Sequence, residues 1–261
     1  MPIKTPHFWT GLSWQSVILF PVSYIWRFGH YAQQKILNTK ETEIPVICVG
    51  NLTVGGSGKT PVVITLCRFL SGIGKSTSIL TRGFGGKEKG PIFVSTNLHQ
   101  SLDVGDEPLM MANSLDVCVS RNRPLGANHI LDKKKYDCIV MDDGLQNPTL
   151  KKDLNIAVFD GKYGIGNGFL LPAGPMRQKL EVGIQNIDLV IFNGKDETGL
   201  KQKIPTHIPT FTGELHPDEE IVEKMKNRRV YGFAGIGNPP RFFKTLNDIG
   251  TDLVGEAHFA D

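Results

Sequence analysis

Gly55-Gly56-Ser57-Gly58-Lys59-Thr60 has the residue types and spacing of a loop that wraps phosphate. It follows a short apolar run, Ile44 to Val49, and leads into another, Val62 to Leu70, so strand, glycine-rich turn and helix start come in the required order. Glycine lets the backbone approach phosphate oxygens, and a helix N-terminus aims unpaired N–H groups at negative charge. On this reading Lys59 reaches the β- and γ-phosphates and the Thr60 hydroxyl ligates Mg²⁺. The strict pattern has glycine five positions before Gly58, where this chain has Thr53. A glycine-rich hairpin or helix cap with a solvated lysine is the blander reading, and the strand–turn–helix order argues against it.

Downstream, the apolar strand Tyr136–Met141 runs into Asp142-Asp143-Gly144-Leu145-Gln146. A buried strand ending in carboxylate, after a phosphate loop, supplies the second half of a nucleotide site by holding the Mg²⁺ that the loop threonine carries. Adjacent strand side chains point to opposite faces, so the two aspartates are expected to differ in role. Asp142 is placed in the Mg²⁺ shell, and Asp143 is left open between metal and substrate. Arg82 follows the strand Ser76–Leu80, and ligands of open parallel sheets gather at such carboxyl ends. A surface arginine in a glycine-rich turn fits Arg82 equally well. Arg177 is the one obligate cation of the Gly- and Pro-rich stretch Gly166–Arg177, a shaped loop of the kind that carries sites. Asp106 and Glu107 read locally as no more than a helix cap.

These residues need a scaffold that brings several strand ends together. Short apolar strands alternating with helix patterns predict an α/β fold of the P-loop NTPase type, with a mostly parallel sheet and helices on both faces. Further strands are predicted at Ile92–Val94, Val117–Val119, Asn155–Phe159, Leu189–Phe192 and Arg229–Ala234, and a last helix at Pro239–Leu246. The expected organisation is a helical segment over residues 1–40, a kinase-like domain over 41–213, a linker over 214–228 and the start of a small α/β unit over 229–261.

The bulk numbers are those of a globular protein: 261 residues, 40% hydrophobic, 21% charged and a formal charge of +3. That charge is too small to indicate nucleic acid, and no such partner is expected. The four cysteines have no metal-like spacing and read as buried, reduced thiols of a cytoplasmic protein. No acidic residue precedes Glu41, and Phe8 to Trp26 carries no charge while holding every tryptophan of the chain. Polar residues and Pro21 interrupt this run, and its start lacks the marks of a secretory signal. It reads as a helix lying on a membrane surface, kinked at Pro21. A helix packed on its own domain is the close alternative, with a spanning helix third.

Taken together, Gly50–Pro61, Thr81–Gly86, Gly105–Pro108, Asp142–Gln146, Gly166–Arg177 and Gly232–Phe243 resemble the tetraacyldisaccharide 4′-kinases of lipid A biosynthesis, in the family's order. Thr53 matches that family's own variant of the loop. The resemblance implies transfer of the ATP γ-phosphate to the 4′-hydroxyl of a tetraacylated glucosamine disaccharide 1-phosphate. It places the enzyme at the cytoplasmic face of the inner membrane, with ATP and Mg²⁺ as cofactors and the lipid A precursor and the membrane surface as partners. A monomer is the default. It makes Asp106 the base, with Lys59 and Asp143 also catalytic. It puts Thr53, Gly55, Gly56, Ser57, Gly58, Lys59, Thr60, Arg82 and Gln146 around the nucleotide, Asn167 and Arg177 on the substrate, and Thr60, Asp142 and Glu107 near the metal. Arg82 and Arg177 would hold phosphate charge.

Two departures stand out. Asn147 occupies a position where the family usually has histidine. The resemblance also pairs Asp106 with the histidine of an Asp-His motif, and Phe259-Ala260-Asp261 stops one residue short of it. His258 precedes the motif and is not a substitute. On this reading the chain is a truncated or incomplete form that binds Mg-ATP but phosphorylates lipid poorly. Two rivals are a membrane-associated ATPase switch, which would carry lysine where Val54 stands, and a non-catalytic remnant that binds nucleotide or lipid.

Overall fold

The computed structural model describes residues 6–236 and 239–259. Lys4, Gly237, Asn238, Ala260 and Asp261 lie outside the described residues, so the basic start, part of the Gly232–Phe243 stretch and the end of the expected Asp-His motif are not placed. Strands β1 (Val46–Gly50), β2 (Thr77–Thr81), β3 (Ile92–Phe93), β4 (Val117–Val119), β5 (Cys138–Asp142), β6 (Leu154–Asp160), β7 (Leu189–Asn193) and β8 (Thr210–Gly213) form one sheet, ordered β3-β4-β2-β5-β1-β6-β7-β8. Every pairing is parallel except β3 with β4. The central strand β5, Cys-Ile-Val-Met-Asp, is buried throughout, as expected for a parallel strand covered on both faces.

The alternation of side chains along the strands sorts the core into two layers. Val49, Ile79, Val140 and Val158 pack with Val63 and Cys67 of α2 (Lys59–Gly72) on one face. Cys48, Leu80 and Met141 pack with Ala127 and Ile130 of α5 (Arg123–Leu131) on the other. Between these helices in the chain lie the short helices α3 (Ser101–Val104) and α4 (Asp106–Met111), and a further short helix, α6 (Leu180–Gly183), follows β6. Farther along that second face, Phe159 and Phe192 meet Leu52, Leu170 and Met176. All four cysteines are buried and free. Burial pushes the Cys48 thiol up to about 12, so it stays protonated at ordinary pH.

The N-terminal helix α1 (Trp14–Ile36) continues through Pro21 and lies against the Gly166–Arg177 loop. Ser16, Phe20 and Ser23 share one helical face and look inward: Phe20 packs on Phe169 with ring centres 5.2 Å apart, and Ser23 donates to the Leu170 carbonyl at 2.9 Å. The opposite stripe, Trp14, Ile18, Ile25 and Phe28, is exposed at 69%, 63%, 73% and 74%. The helix therefore both packs on its own domain and turns an apolar face outward. Among the described residues no helix is long and apolar enough to cross a membrane, which removes the spanning reading for those residues.

The stretch expected as a linker, 214–228, contains helix α7 (Glu219–Met225), started by Asp218, whose side chain accepts from the N–H groups of Glu220 and Ile221. Met225 packs into the small unit, where β9 (Arg229–Ala234) pairs in parallel with β10 (Asp252–His258) and both lie under Phe243 and Leu246 of α8 (Pro239–Asp248).

The turn before α4 sets where Asp106 and Glu107 emerge. Gly105 has φ of +94°, and a Cβ there would lie 2.3 Å from the Phe84 carbonyl oxygen. Both strain and contact exclude a side chain, so Gly105→Ala should lose about 1–3 kcal/mol in urea unfolding. Gly74→Ala, with φ of +76° but nothing within 4 Å, should lose less.

Candidate active site at the phosphate loop

Gly50 closes β1 beneath the Leu145 side chain, and Asn51 is fully buried, donating to Ser57 Oγ at 3.1 Å. Thr53 needs no glycine because its φ is not positive; its backbone instead pairs with Met176, and the next N–H, of Val54, donates to the Pro175 carbonyl at 2.8 Å. The loop is thus tied sideways to the Gly166–Arg177 segment. Gly58 does require glycine: it starts α2 in the left-handed region at φ 83°, and a Cβ would meet Asn193 Nδ2 at 2.2 Å.

From the first turn of α2, the Lys59 ammonium reaches within 4.0 Å of Asp143 Oδ1, and the Thr60 hydroxyl donates to Glu107 Oε1 at 3.0 Å. Glu107 is exposed and sits in the first turn of α4, next to Asp106. The acidic stretch that read locally as a cap is therefore hydrogen-bonded to the loop threonine. Asp106 itself is exposed, with no hydrogen-bond partner among the described residues. The same holds for Arg82, which follows β2.

The two aspartates at the end of β5 part company. Asp143, at φ of 50°, takes both Arg177 guanidinium nitrogens on its two oxygens at 2.9 and 3.1 Å. Burial would raise its carboxyl, but Lys59 and Arg177 outweigh that and hold it below the ordinary carboxylate range. Asp142 is buried at 4% exposure; Oδ2 accepts from the Thr81 hydroxyl at 3.3 Å, and Oδ1 has no partner among the described residues. Burial, then Glu107 and Asp143, push its carboxyl up to about 6.

Behind Asp142 lies a residue that sequence reasoning missed. Arg123 is 3% exposed, donates to the Ser120 carbonyl at 2.6 Å, and approaches the Asp142 carbonyl at 3.5 Å. An arginine opening a helix after a strand gave no local sign of burial. Gln146 braces rather than faces outward: its Nε2 donates to the Asn51 carbonyl at 2.8 Å and its Oε1 accepts from Arg177 at 3.0 Å. Asn167, expected on the substrate, bonds to the N-terminal segment and to its own loop. Its Nδ2 lies 2.9 to 3.1 Å from the Phe8 carbonyl, Ser16 Oγ and the Ala173 carbonyl, so its donors are committed to fastening the N-terminal segment. Asn147 closes the turn after β5 by accepting from the Thr149 N–H and hydroxyl at 3.0 and 2.8 Å.

The donor set at Thr60, Asp142 and Glu107 is all oxygen, and Asp142 Oδ1 is buried with no partner among the described residues. Two carboxylates and a hydroxyl fit the chemistry that Mg²⁺ takes from protein, with phosphate oxygens and water completing its shell. Among the described residues no group of three or more metal-ligating side chains is preassembled. A concavity of about 730 Å³ is lined by residues such as Lys195, Asp196 and Glu214 and holds none of these groups. Chemistry therefore locates the site better than volume does.

A phosphate loop at the end of β1, facing carboxylates at the end of the neighbouring strand β5, defines a P-loop phosphotransferase. The family model for tetraacyldisaccharide-1-P 4′-kinase matches residues 15–261. The tetraacyldisaccharide 4′-kinase of Bradyrhizobium sp. (strain BTAi1) is 41% identical over 99% of this chain and 76% of its own length. That of Rhodospirillum rubrum is 40% identical over 99% of this chain and 79% of its own. The solved structure of LpxK from Aquifex aeolicus in complex with ATP superimposes with a TM-score of 0.75 at 30% identity, covering 94% of this chain and 82% of that one. The chain belongs to the tetraacyldisaccharide-1-P 4′-kinase family.

The buried Asp142 gives a pH prediction. Because its folded pKa, about 6, lies above the model-peptide value of 3.8, the folded state holds the extra proton between those limits. Stability is then fully present below 3.8 and falls as the pH rises through 6. Without metal, Asp142→Asn should be more stable than the unaltered chain at pH 7.5, by up to about 3 kcal/mol. The gap should close below about pH 4. Urea titrations across that range measure it, and an equal gap at every pH would contradict the assignment.

Proposed function

We propose that this chain transfers the γ-phosphate of ATP to the 4′-hydroxyl of a tetraacylated glucosamine disaccharide 1-phosphate. The observation that carries this reading is the gathering, at one end of the sheet, of the Thr60–Glu107 pair, the Lys59–Asp143–Arg177 group and the buried Asp142. Thr60, Asp142 and Glu107 would hold Mg²⁺, which when bound supplies charge neutralisation on the β- and γ-phosphates. Lys59 and the loop N–H groups cradle the same phosphates. Asp143 keeps Lys59 and Arg177 in place, and Arg82 and Arg177 face the phosphate charge of nucleotide and lipid. Asp106, exposed and one residue from Glu107, takes the proton of the 4′-hydroxyl. The new bond joins that oxygen to the γ-phosphorus while the bond to the β-phosphate oxygen breaks and ADP leaves.

The exposed stripe of α1 would seat the protein as a monomer on the cytoplasmic face of the inner membrane, where a tetraacylated substrate resides. Aromatic and aliphatic side chains of this kind favour the lipid–water boundary.

In an assay with γ-labelled ATP and the disaccharide 1-phosphate, Asp106→Asn should lower kcat by about 10²–10⁴-fold while ATP still binds. Unchanged turnover would remove Asp106 from the base role. Flotation with anionic phospholipid vesicles tests the seating: Ile18→Glu with Ile25→Glu should weaken binding about tenfold or more. Equal flotation of both forms would refute a role for that stripe.

A further inference from the structure

Arg177 is held at its terminal guanidinium nitrogens and at both of its backbone polar groups. Its guanidinium donates to both oxygens of Asp143 at 2.9 and 3.1 Å and to Gln146 Oε1 at 3.0 Å. Its backbone N–H donates to the Leu52 carbonyl at 2.8 Å, on the strand side of the phosphate loop. Its own carbonyl accepts the indole N–H of Trp26 at 3.0 Å, across 151 positions of sequence. The peptide that carries the cation is thus pinned on one side by the loop and on the other by α1.

We propose that Trp26 is a positioning residue for the phosphotransfer site, acting through the Arg177 carbonyl to fix where the Arg177 guanidinium meets Asp143. This rests on the reading that Arg177 and Asp143 belong to that site. With the indole donor removed, the Arg177 carbonyl turns to water and its peptide gains freedom to rotate. Both the Arg177–Asp143 pair and Lys59, whose ammonium shares the Asp143 carboxylate, then lose their fixed reference. Small displacements of charge-bearing groups cost rate far more than they cost binding.

The fold supplies its own control. Trp9 makes a matched bond to the same loop, its indole N–H donating to the Pro172 carbonyl at 3.1 Å, but Pro172 carries no group of the site. A merely structural role predicts that Trp26→Phe and Trp9→Phe do equal harm. A positioning role separates them.

The test measures kcat, KM for ATP and melting temperature with ATP and tetraacyldisaccharide 1-phosphate. The variants are Trp26→Phe, Trp9→Phe, Arg177→Ala and the Trp26→Phe/Arg177→Ala double variant. Trp26→Phe should lose about tenfold or more in kcat with KM for ATP unchanged, and Trp9→Phe should stay close to the unaltered chain. The double variant should be no slower than Arg177→Ala alone, because the first change acts only through the second residue. If Trp26→Phe melts lower, the Trp9→Phe loss sets the structural baseline and only the excess in kcat counts. Full kcat in Trp26→Phe, equal losses in both tryptophan variants, or additive losses in the double variant would each overturn the inference. Full kcat in Arg177→Ala would instead show that Arg177 does not belong to the site.

Discussion

The bidentate pair between Arg177 and Asp143, with the Lys59 ammonium 4.0 Å from the same carboxylate, engages two cations with one of two neighbouring aspartates. Asp142 is left with a hydroxyl donor, a buried unpartnered oxygen, and Arg123 approaching only its backbone carbonyl. Burying a carboxylate without a counter-charge is costly, and its carboxyl responds by moving up to about 6. The fold tolerates this because β5 is buried throughout and fixed between β1 and β2. A divalent cation held by Asp142 and the loop threonine would relieve the same deficit.

The N-terminal segment fastens the Gly166–Arg177 loop at several points, and of these the Trp26 bond falls on the residue that carries the cation. Trp9, Ser16, Ser23 and Trp26 each spend a side-chain donor or acceptor on this loop or on a residue fastened to it. A segment rich in tryptophan, with polar residues spaced along one side, has two unlike sides. The hydrogen-bonding side meets the protein, and the apolar side is exposed. The sequence alone presented these as competing readings because composition cannot say which side of a helix is covered.

Much of the sheet was legible from local pattern, since each central strand is a short apolar run between turn signals. Strands β8 and β10 and helix α7 were not, because Thr210–Gly213 is brief and polar and α7 lies in a charged stretch that reads as linker. In the site, Lys59, Thr60, Asp142 and Asp143 announced themselves through chemistry that is local in sequence. Glu107 read as a cap, and only its 3.0 Å contact with Thr60, 47 residues away, joins it to the loop. Arg123 and Asn193 gave no local sign, since their positions depend on which strand ends the sheet order brings together. Asn167, a polar residue in a shaped loop, suggests a ligand by its type, while its bonds to the Phe8 carbonyl and Ser16 depend on contacts far away in sequence that local pattern does not show.

Thr53, where the strict loop pattern has glycine, and Asn147, where the family usually has histidine, follow one rule: a position is restricted by its backbone and neighbours rather than by the motif it belongs to. Thr53 is admissible because the chain there is extended enough to pair with Met176, whereas Gly58 is not replaceable because Asn193 fills the space a Cβ would need. Asn193 also accepts from Arg241 at 3.3 Å while donating to the Ser57 carbonyl at 3.4 Å, so the small C-terminal unit touches the phosphate loop through the residue that enforces its glycine. Asn147 closes its own turn with its side-chain oxygen, a task the neutral amide performs through a single acceptor. Its side chain therefore stabilises the turn that carries Asp143 and Gln146, and the geometry of the carboxylate end is kept by a different residue type through local hydrogen bonding.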